Sequence, residues 1–237
     1  MTSAGEKPFS SISFFCPAYN EEKNLPVLIP KVHAFLGSLT DTFEILIIEN
    51  GSRDETAAVA DELSKRFSNV KALHYMAGLG YGGALLEGFK NSKYDYVCYT
   101  DGDNQYNIDE LKAGFDLMEH ADVASGYVRA KAVSTFRKIQ SDLFNSLITL
   151  LFFVRIRDIN CSMKIYKREV LDSIEIKSLS AFIDAEMLLR AYRKGFVIAQ
   201  FPVTHYERTS GIAIGSKPSV IIGTFTDMLK FRSGLLK

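Results

Sequence analysis

The chain has 237 residues, of which 47% are hydrophobic and 24% charged, as is ordinary for a soluble globular protein of one large or two small domains. The formal net charge is zero, but acidic residues concentrate in residues 1–128, which suits cations, and basic residues in residues 129–237, which suits phosphates or anionic lipid. The sequence predicts no signal peptide, because residues 1–8 are polar, and no membrane span, because the longest apolar run (147–154) is far shorter than the roughly 20 residues a span needs.

Strands and helices alternate along the first half of the chain. Short apolar runs rich in β-branched and aromatic residues predict strands at 11–16, 43–49, 70–75, 94–100 and 123–127. Helical spacing of apolar residues predicts helices at 25–37, 57–67, 80–89 and 107–120. We predict that Gly37 caps the first of these helices and that Asn107 and Glu110 form a capping box at the last. The alternation predicts an α/β domain with a doubly wound, mostly parallel sheet and a less regular second half.

Two carboxylates follow the fourth predicted strand, at Asp101 and Asp103. With one residue between them on an extended strand end, they project from one strand tip, where open α/β sheets place their ligands. Together with the amide of Gln105 they are hard oxygen donors that suit Mg²⁺ or Mn²⁺, ions that substrate phosphates usually complete. The alternative is a turn of Asp, Gly and Asn that only ends a strand.

A glycine-rich segment at 78–83 follows the third predicted strand and contains the pattern G-x-G-x-x-G. Such a pattern can mark a dinucleotide site, and Asp101 stands at the expected distance for its acidic partner. However, this is the third strand–helix unit instead of the first, and a metal pair explains Asp101 better. We therefore favour a tight turn that lets the backbone approach a bound nucleotide.

Residues 134–157 combine an apolar stripe with basic residues at both ends. One interpretation is a core helix, and the other is a helix that lies in a membrane interface. Residues 219–237 repeat the pattern more weakly. The stripe consists of Phe136, Ile139, Leu143, Leu147, Ile148, Leu151 and Phe152.

Four motifs, each at the end of a predicted strand, resemble those of glycosyltransferase family 2. They are Pro17-Ala18-Tyr19-Asn20-Glu21, Gly51-Ser52-x-Asp54-x-Thr56, Gly80-x-Gly82-Gly83-Ala84 and Asp101-Gly102-Asp103-x-Gln105. Within that family the chain is most similar to dolichyl- and polyprenyl-phosphate sugar synthases. The residues that carry this closer similarity are Gly126-x-x-Arg129, Arg137, Arg208 and Gly215-Ser216-Lys217.

The resemblance implies a GT-A fold over a single domain (1–237) and inverting transfer of a sugar from a UDP- or GDP-sugar to a polyprenyl phosphate. It implies a nucleotide-binding half at 9–128, an acceptor-side half at 129–217 and an amphipathic tail at 218–237. The expected cofactor is Mg²⁺ or Mn²⁺, and the expected place is the cytoplasmic face of a membrane. The membrane surface and a separate membrane protein are expected partners, and nucleic acid is not.

The resemblance also assigns site residues. Asp101, Asp103 and Gln105 would hold the metal, and Arg129 and Arg137 would receive the acceptor phosphate. Asp184 stands where a family base is expected, although it could instead complement a helix dipole. The residues that would bind the donor are Pro17, Ala18, Tyr19, Asn20, Glu21, Glu49, Gly51, Ser52, Gly80, Arg208, Ser216 and Lys217.

The second predicted strand departs from the family pattern. Such enzymes commonly end it in two Asp, whereas this chain has Glu49 and Asn50. Two alternatives therefore stay open besides transfer to a lipid phosphate. The acceptor could be a glycan hydroxyl, which needs a base such as Asp184, or the chain could bind nucleotide sugars without catalysis.

Overall fold

A computed structural model describes residues 7–131, 135–208 and 218–236, with the backbone alone at residues 130, 131, 135–140, 218 and 219. A seven-stranded sheet lies at its centre. The strands are β1 (Ile12–Ala18), β2 (Phe43–Glu49), β3 (Val70–His74), β4 (Tyr96–Tyr99), β5 (Val123–Lys131), β6 (Lys164–Lys167) and β7 (Ile198–His205). The helices are α1 (Leu25–Leu39), α2 (Thr56–Arg66), α3 (Gly80–Asn91), α4 (Leu111–Leu117), α5 (Thr135–Phe152), α6 (Arg168–Ser173), α7 (Ile183–Arg193) and α8 (Pro218–Arg232).

The order of the strands places most loops that follow them at one edge of the sheet. The order is β3-β2-β1-β4-β6-β5-β7, and β6 alone runs antiparallel to its neighbours. The carboxyl ends of the other six strands therefore share an edge, and β6 begins at that same edge. The predicted doubly wound, mostly parallel sheet is confirmed.

Helices cover both faces of the sheet and create two apolar cores. Along β1, Phe14 packs into the core beneath α1, α2 and α4, whereas Phe15 packs into the core beneath α3, α5, α7 and α8. Strands covered on both faces read as continuous apolar runs, as β2 does. Each large side chain that is fully buried stabilises the fold by about 1.5–3 kcal/mol.

Two predicted helix signals differ from the structure, one wholly and one in part. Helix α1 continues past Gly37 to Leu39, because Leu36 and Leu39 are buried against the sheet. The predicted capping box forms only in part: Asn107 Oδ1 accepts from the N–H of Asp109 at 3.3 Å, whereas the carboxylate of Glu110 accepts from the backbone N–H and the hydroxyl of Thr204, at 2.6 and 2.8 Å. That partner lies on β7, 94 residues away.

One face of α5 belongs to the core. Ile148 is 1% exposed, and Phe144 packs its ring against Phe225 of α8. Leu150 and Phe153, by contrast, are 68% and 81% exposed. The core-helix interpretation therefore holds for the Ile148 face. Among the residues that the structure describes, no helix is both long and apolar enough to cross a bilayer.

Candidate active site

Gly102 lets the two carboxylates stand beside the end of β1. Its N–H donates to the carbonyl oxygen of Pro17 at 3.1 Å, and a Cβ at this position would lie 2.8 Å from that oxygen. A side chain would force the two loops apart. The spacing of Asp101 and Asp103 thus depends on a glycine between them.

The loops after β1 and β2 are joined by hydrogen bonds. Asn20, in a left-handed conformation (φ 57°), donates its N–H to Ser52 Oγ at 3.1 Å and accepts from the N–H of Arg53 at 2.8 Å. The N–H of Glu21 donates to Thr56 Oγ1 at 2.7 Å. These bonds explain why polar residues with short side chains follow both strands.

Asn50 connects the loop after β2 to the glycine-rich start of α3. Its Oδ1 accepts from the N–H of Leu79 at 2.6 Å, and its Nδ2 donates to the carbonyl oxygen of Gly80 at 3.1 Å. An aspartate at this position could accept from the first group but could not donate to the second. The amide of Asn50 therefore holds the loop after β2 against the segment that begins α3.

Glu49 is buried and also supports these loops. Its Oε1 accepts from the N–H of Ser52 at 2.6 Å, and its Oε2 lies 3.5 Å from His74 Nδ1. The other ring nitrogen of His74 lies 3.0 Å from Asp61 Oδ1. Burial lowers the pKa of His74, but the two carboxylates outweigh it, so the pKa lies above its usual value.

Asp101 lies two residues after the end of β4, and its two carboxylate oxygens have different surroundings. Ser162 Oγ donates to its Oδ2 at 3.0 Å, while its buried Oδ1 has no hydrogen-bond partner among the described residues. Burial, helped by the negative charges of Asp103 and Asp184, raises the pKa of Asp101 to about 7. Such a carboxylate is poised to meet a cation.

Asp103 and Glu21 share one arginine. Arg208 Nη2 lies 2.5 Å from Asp103 Oδ2, and its Nη1 lies 3.4 Å from Glu21 Oε1. Burial raises the pKa of both carboxyl groups, and the guanidinium opposes that shift. Sequence reasoning placed Arg208 over the donor diphosphate, but here it pairs with protein carboxylates.

Asp184 lies at the start of α7 and is 2% exposed. Its Oδ1 accepts from the Lys164 ammonium at 2.6 Å and from the hydroxyl of Tyr99, and its Oδ2 accepts from the hydroxyl of Tyr81 at 2.9 Å. Burial is the main reason why the pKa values of both tyrosines lie well above 10, so their hydroxyls stay protonated donors. Both oxygens of Asp184 are therefore engaged.

Sequence reasoning missed Lys164, Ser162, Tyr81 and Tyr99. Lys164 and Ser162 reach the site because β6 is antiparallel and begins where the other strands end. A lysine within the apolar run at 161–166 was the available signal, since a lysine in a buried strand needs a partner.

The remaining predicted residues are less fully described. Arg129 is exposed on β5, two residues before Lys131, which pairs with His205 of β7. Gln105 donates its amide to the carbonyl oxygen of Tyr206 at 2.8 Å, so its Oε1 is the atom that could face a cation. The backbone of Arg137 lies in α5, whereas Ser216 and Lys217 lie outside the described residues.

These donors fit a small divalent cation. Asp101 Oδ1 is buried and accepts no hydrogen bond from the part of the chain that the structure describes, and Asp103 and Gln105 follow on the same loop. Within the described ranges, no group of three or more His, Cys, Asp or Glu side chains is arranged to hold a metal. Mg²⁺ sites that use one or two carboxylates and complete their coordination with substrate phosphates match this set.

Comparisons with known proteins identify the family to which this chain is similar. The family model described as glycosyl transferase family 2 matches residues 13–175. Glycosyltransferase AglD of Haloferax volcanii is 32% identical over 81% of this chain, which spans 32% of that protein. The polyprenol monophosphomannose synthase of Mycolicibacterium smegmatis is 30% identical over 87% of this chain and 82% of its own length.

A solved structure has the same fold at low sequence identity. Glucosyl-3-phosphoglycerate synthase of Mycobacterium tuberculosis, crystallised with Mn²⁺, UDP and phosphoglyceric acid, superposes with a TM-score of 0.70 over 94% of this chain and 78% of its own. The sequence identity is 18%. The GT-A fold expected from the sequence motifs is confirmed.

Proposed function

The chain belongs to glycosyltransferase family 2, and we propose that within this family it transfers a sugar from a UDP- or GDP-sugar to a polyprenyl phosphate, with inversion at the anomeric carbon. A phosphate oxygen of the acceptor attacks the anomeric carbon. The bond from that carbon to the donor diphosphate breaks, and the nucleoside diphosphate leaves with the electron pair. In this proposal residues 9–128 bind the donor and residues 129–217 the acceptor.

The main support for a phosphate acceptor is that both carboxylate oxygens of Asp184 already accept hydrogen bonds. A hydroxyl acceptor needs a side chain that takes its proton. Both oxygens of Asp184 accept hydrogen bonds, and Lys164 compensates its charge in a buried site. An acceptor that is already an anion needs no base, so the network around Asp184 favours a phosphate over a hydroxyl.

Donor binding would use the loops after β1, β2 and β4. The residues Pro17 to Glu21, with Ser52 beside them, would line the nucleotide. Asp101, Asp103 and Gln105 would hold Mg²⁺ or Mn²⁺ against the diphosphate, where the ion would stabilise the negative charge that builds on the leaving group. In this proposal Arg208 reaches the diphosphate once the donor has bound.

Acceptor binding would use arginines on the basic half of the chain. Arg129 is exposed near the shared strand edge, and Arg137 follows at the start of α5. The planar guanidinium forms paired hydrogen bonds with phosphate oxygens, which would orient the nucleophile. These bonds are made to charged groups, which typically contribute about 1.5–3 kcal/mol each.

The proposed acceptor lies in a membrane, and exposed apolar residues of α5 and α8 would meet it. Leu143 and Leu150 project from α5, Ile222 and Leu229 project from α8, and all are exposed. Bulky apolar residues of this kind bury into the boundary between headgroups and acyl chains. We propose peripheral association through this surface, with the buried Ile148 face excluded.

Three variants test the acceptor assignment. We expect Arg129→Ala to lower transfer from UDP- or GDP-sugar to polyprenyl phosphate by roughly 10- to 150-fold, the equivalent of one charged hydrogen bond. Arg155→Ala, an exposed arginine just after α5, is the matched control and should transfer at the wild-type rate. Donor binding is measured for each variant by thermal shift with Mn²⁺.

Asp184→Asn separates the two acceptors. If the acceptor is a phosphate, this variant keeps most of its transfer rate once the folded fraction is corrected for. A loss of 10²–10⁴-fold with intact donor binding, beside a near-normal Arg129→Ala, would instead identify a base and a hydroxyl acceptor. No transfer and no hydrolysis of any nucleotide sugar would leave the non-catalytic alternative.

A further inference from the structure

The guanidinium of Arg208 lies against Asp103, one of the carboxylates proposed to bind the metal. Its guanidinium contacts Asp103 at 2.5 Å and Glu21 at 3.4 Å. The arginine side chain is 25% exposed, whereas each carboxylate side chain is only 9% exposed. The three side chains come from the loops after β1, β4 and β7.

Without a cation, these carboxylates would be costly to keep ionised. Burial and mutual repulsion disfavour two negative charges in one partly desolvated site. Arg208 compensates them. The carboxylate of Asp103 has little capacity left to bind another cation, because its Oδ1 also accepts a hydrogen bond from the N–H of Gln105 at 3.2 Å.

We propose that Arg208 is a resident cation that competes with the divalent metal for Asp103 and is drawn away by the diphosphate of the donor. This inference rests on the proposed function, because it takes Asp103 as a metal ligand. The guanidinium and a divalent ion on the same carboxylate repel each other. Free metal therefore binds weakly while Arg208 is in place.

The donor diphosphate resolves this competition. It offers Arg208 a doubly charged partner that suits the guanidinium fork. Once Arg208 turns to the phosphates, Oδ2 of Asp103 becomes accessible to the ion, while Oδ1 keeps its hydrogen bond from Gln105. Metal and nucleotide then favour each other's binding, and linkage requires the coupling to be equal in both directions.

The test is the affinity for Mn²⁺ in the absence of nucleotide. Electron paramagnetic resonance of free Mn²⁺ measures it directly, without any catalytic turnover. For Arg208→Gln we expect Mn²⁺ alone to bind at least about fivefold tighter than to the wild type, at the low end of typical coupling. The same variant should bind UDP or GDP with Mn²⁺ more weakly than the wild type.

Two further variants exclude simpler explanations. Arg53→Gln removes an exposed positive charge from the loop beside Asn20 without touching Asp103, so it reports general electrostatics. Its affinity for Mn²⁺ should equal that of the wild type. Arg208→Lys keeps the positive charge, but its single ammonium cannot replace the two guanidinium nitrogens that contact Asp103 and Glu21. Its affinity for Mn²⁺ alone should therefore lie between those of the wild type and Arg208→Gln.

Arg208→Gln should bind Mn²⁺ alone more tightly but nucleotide with Mn²⁺ more weakly, and these opposite directions distinguish competition from a distorted site. A variant that only distorts the site would bind Mn²⁺ alone and the nucleotide complex more weakly. Equal or weaker binding of Mn²⁺ alone by Arg208→Gln overturns the inference, even if nucleotide still raises the affinity and the proposed metal site stands. If the wild type binds no Mn²⁺ with either nucleotide, the proposed metal site fails, and the competition fails with it.

Discussion

Removing the charge of Asp184 should destabilise the fold more than it impairs chemistry. Lys164 is fully buried, and its ammonium lies 2.6 Å from Asp184 Oδ1. Its other partners are the hydroxyl of Tyr99 and the carbonyl oxygen of Cys161. Asp184→Asn removes the carboxylate that pairs with this buried ammonium.

The expected cost follows from that geometry. Breaking a buried ion pair by removing one partner costs about 3–5 kcal/mol. A domain of this size loses roughly 2–4 °C in Tm for each kcal/mol, so Tm should fall by about 6–20 °C. Replacing both charges, in Lys164→Met/Asp184→Asn, leaves no uncompensated charge and should restore much of the loss.

A double-mutant cycle measures this coupling. Urea unfolding followed by circular dichroism gives the free energy of unfolding of the wild type, both single variants and the double variant. Asp116→Asn, which breaks the exposed Lys112–Asp116 pair of α4, is the surface control and should cost no more than about 1 kcal/mol. The double variant should be more stable than either single variant.

One result would refute the reasoning. The free energy of unfolding of Asp184→Asn could lie within about 1 kcal/mol of the wild-type value, with no coupling energy in the double-mutant cycle. In that case the buried pair of Lys164 and Asp184 does not stabilise the fold.

Three further predictions concern the loops and α5. Asn50→Asp loses the hydrogen bond donated to the carbonyl oxygen of Gly80 and should lower the free energy of unfolding by about 0.5–1.5 kcal/mol; an unchanged thermal midpoint would show that this bond does not hold the two loops together. His74→Gln should lower the free energy of unfolding by about 0.2–1 kcal/mol at pH 5.5 and by less at pH 8.5. The pKa of His74 is higher in the folded state than the value near 6.5 of the unfolded chain, so protonated His74 stabilises the fold below pH 6.5, and this stabilisation is lost as the pH rises through the folded-state pKa. Equal losses at the two pH values in urea unfolding would contradict this prediction. Ile148→Glu should unfold the protein, whereas Leu150→Glu should keep its thermal midpoint but lose flotation with anionic vesicles; equal flotation of Leu150→Glu and wild type would exclude that surface.

Local sequence determined the elements of the first half and the loops that carry the donor-side motifs. Strand β2 coincides with its predicted range at 43–49, because a run of buried apolar residues between polar turns specifies a strand by itself. The positions of Asp101 and Asp103 after β4 follow from the same pattern. Such signals depend only on neighbours in the chain.

The second half was harder to predict, because its elements are short and depend on distant partners. Strand β6 has four residues and pairs with β4 and β5 in the antiparallel sense, which no local pattern specifies. Glu110 looked like a helix cap but binds Thr204 on β7. Local propensity cannot anticipate a partner that only the sheet order brings near.

Sequence by itself determined which residue types the site contains: paired carboxylates, glycines at the turns and arginines in the basic half. Only the tertiary structure decided what two of them do. Asp184 became a partner of Lys164, and Arg208 became a partner of Asp103, 105 residues away. Burial is the physical reason, since a charge that loses water must find an opposite charge wherever the fold provides one.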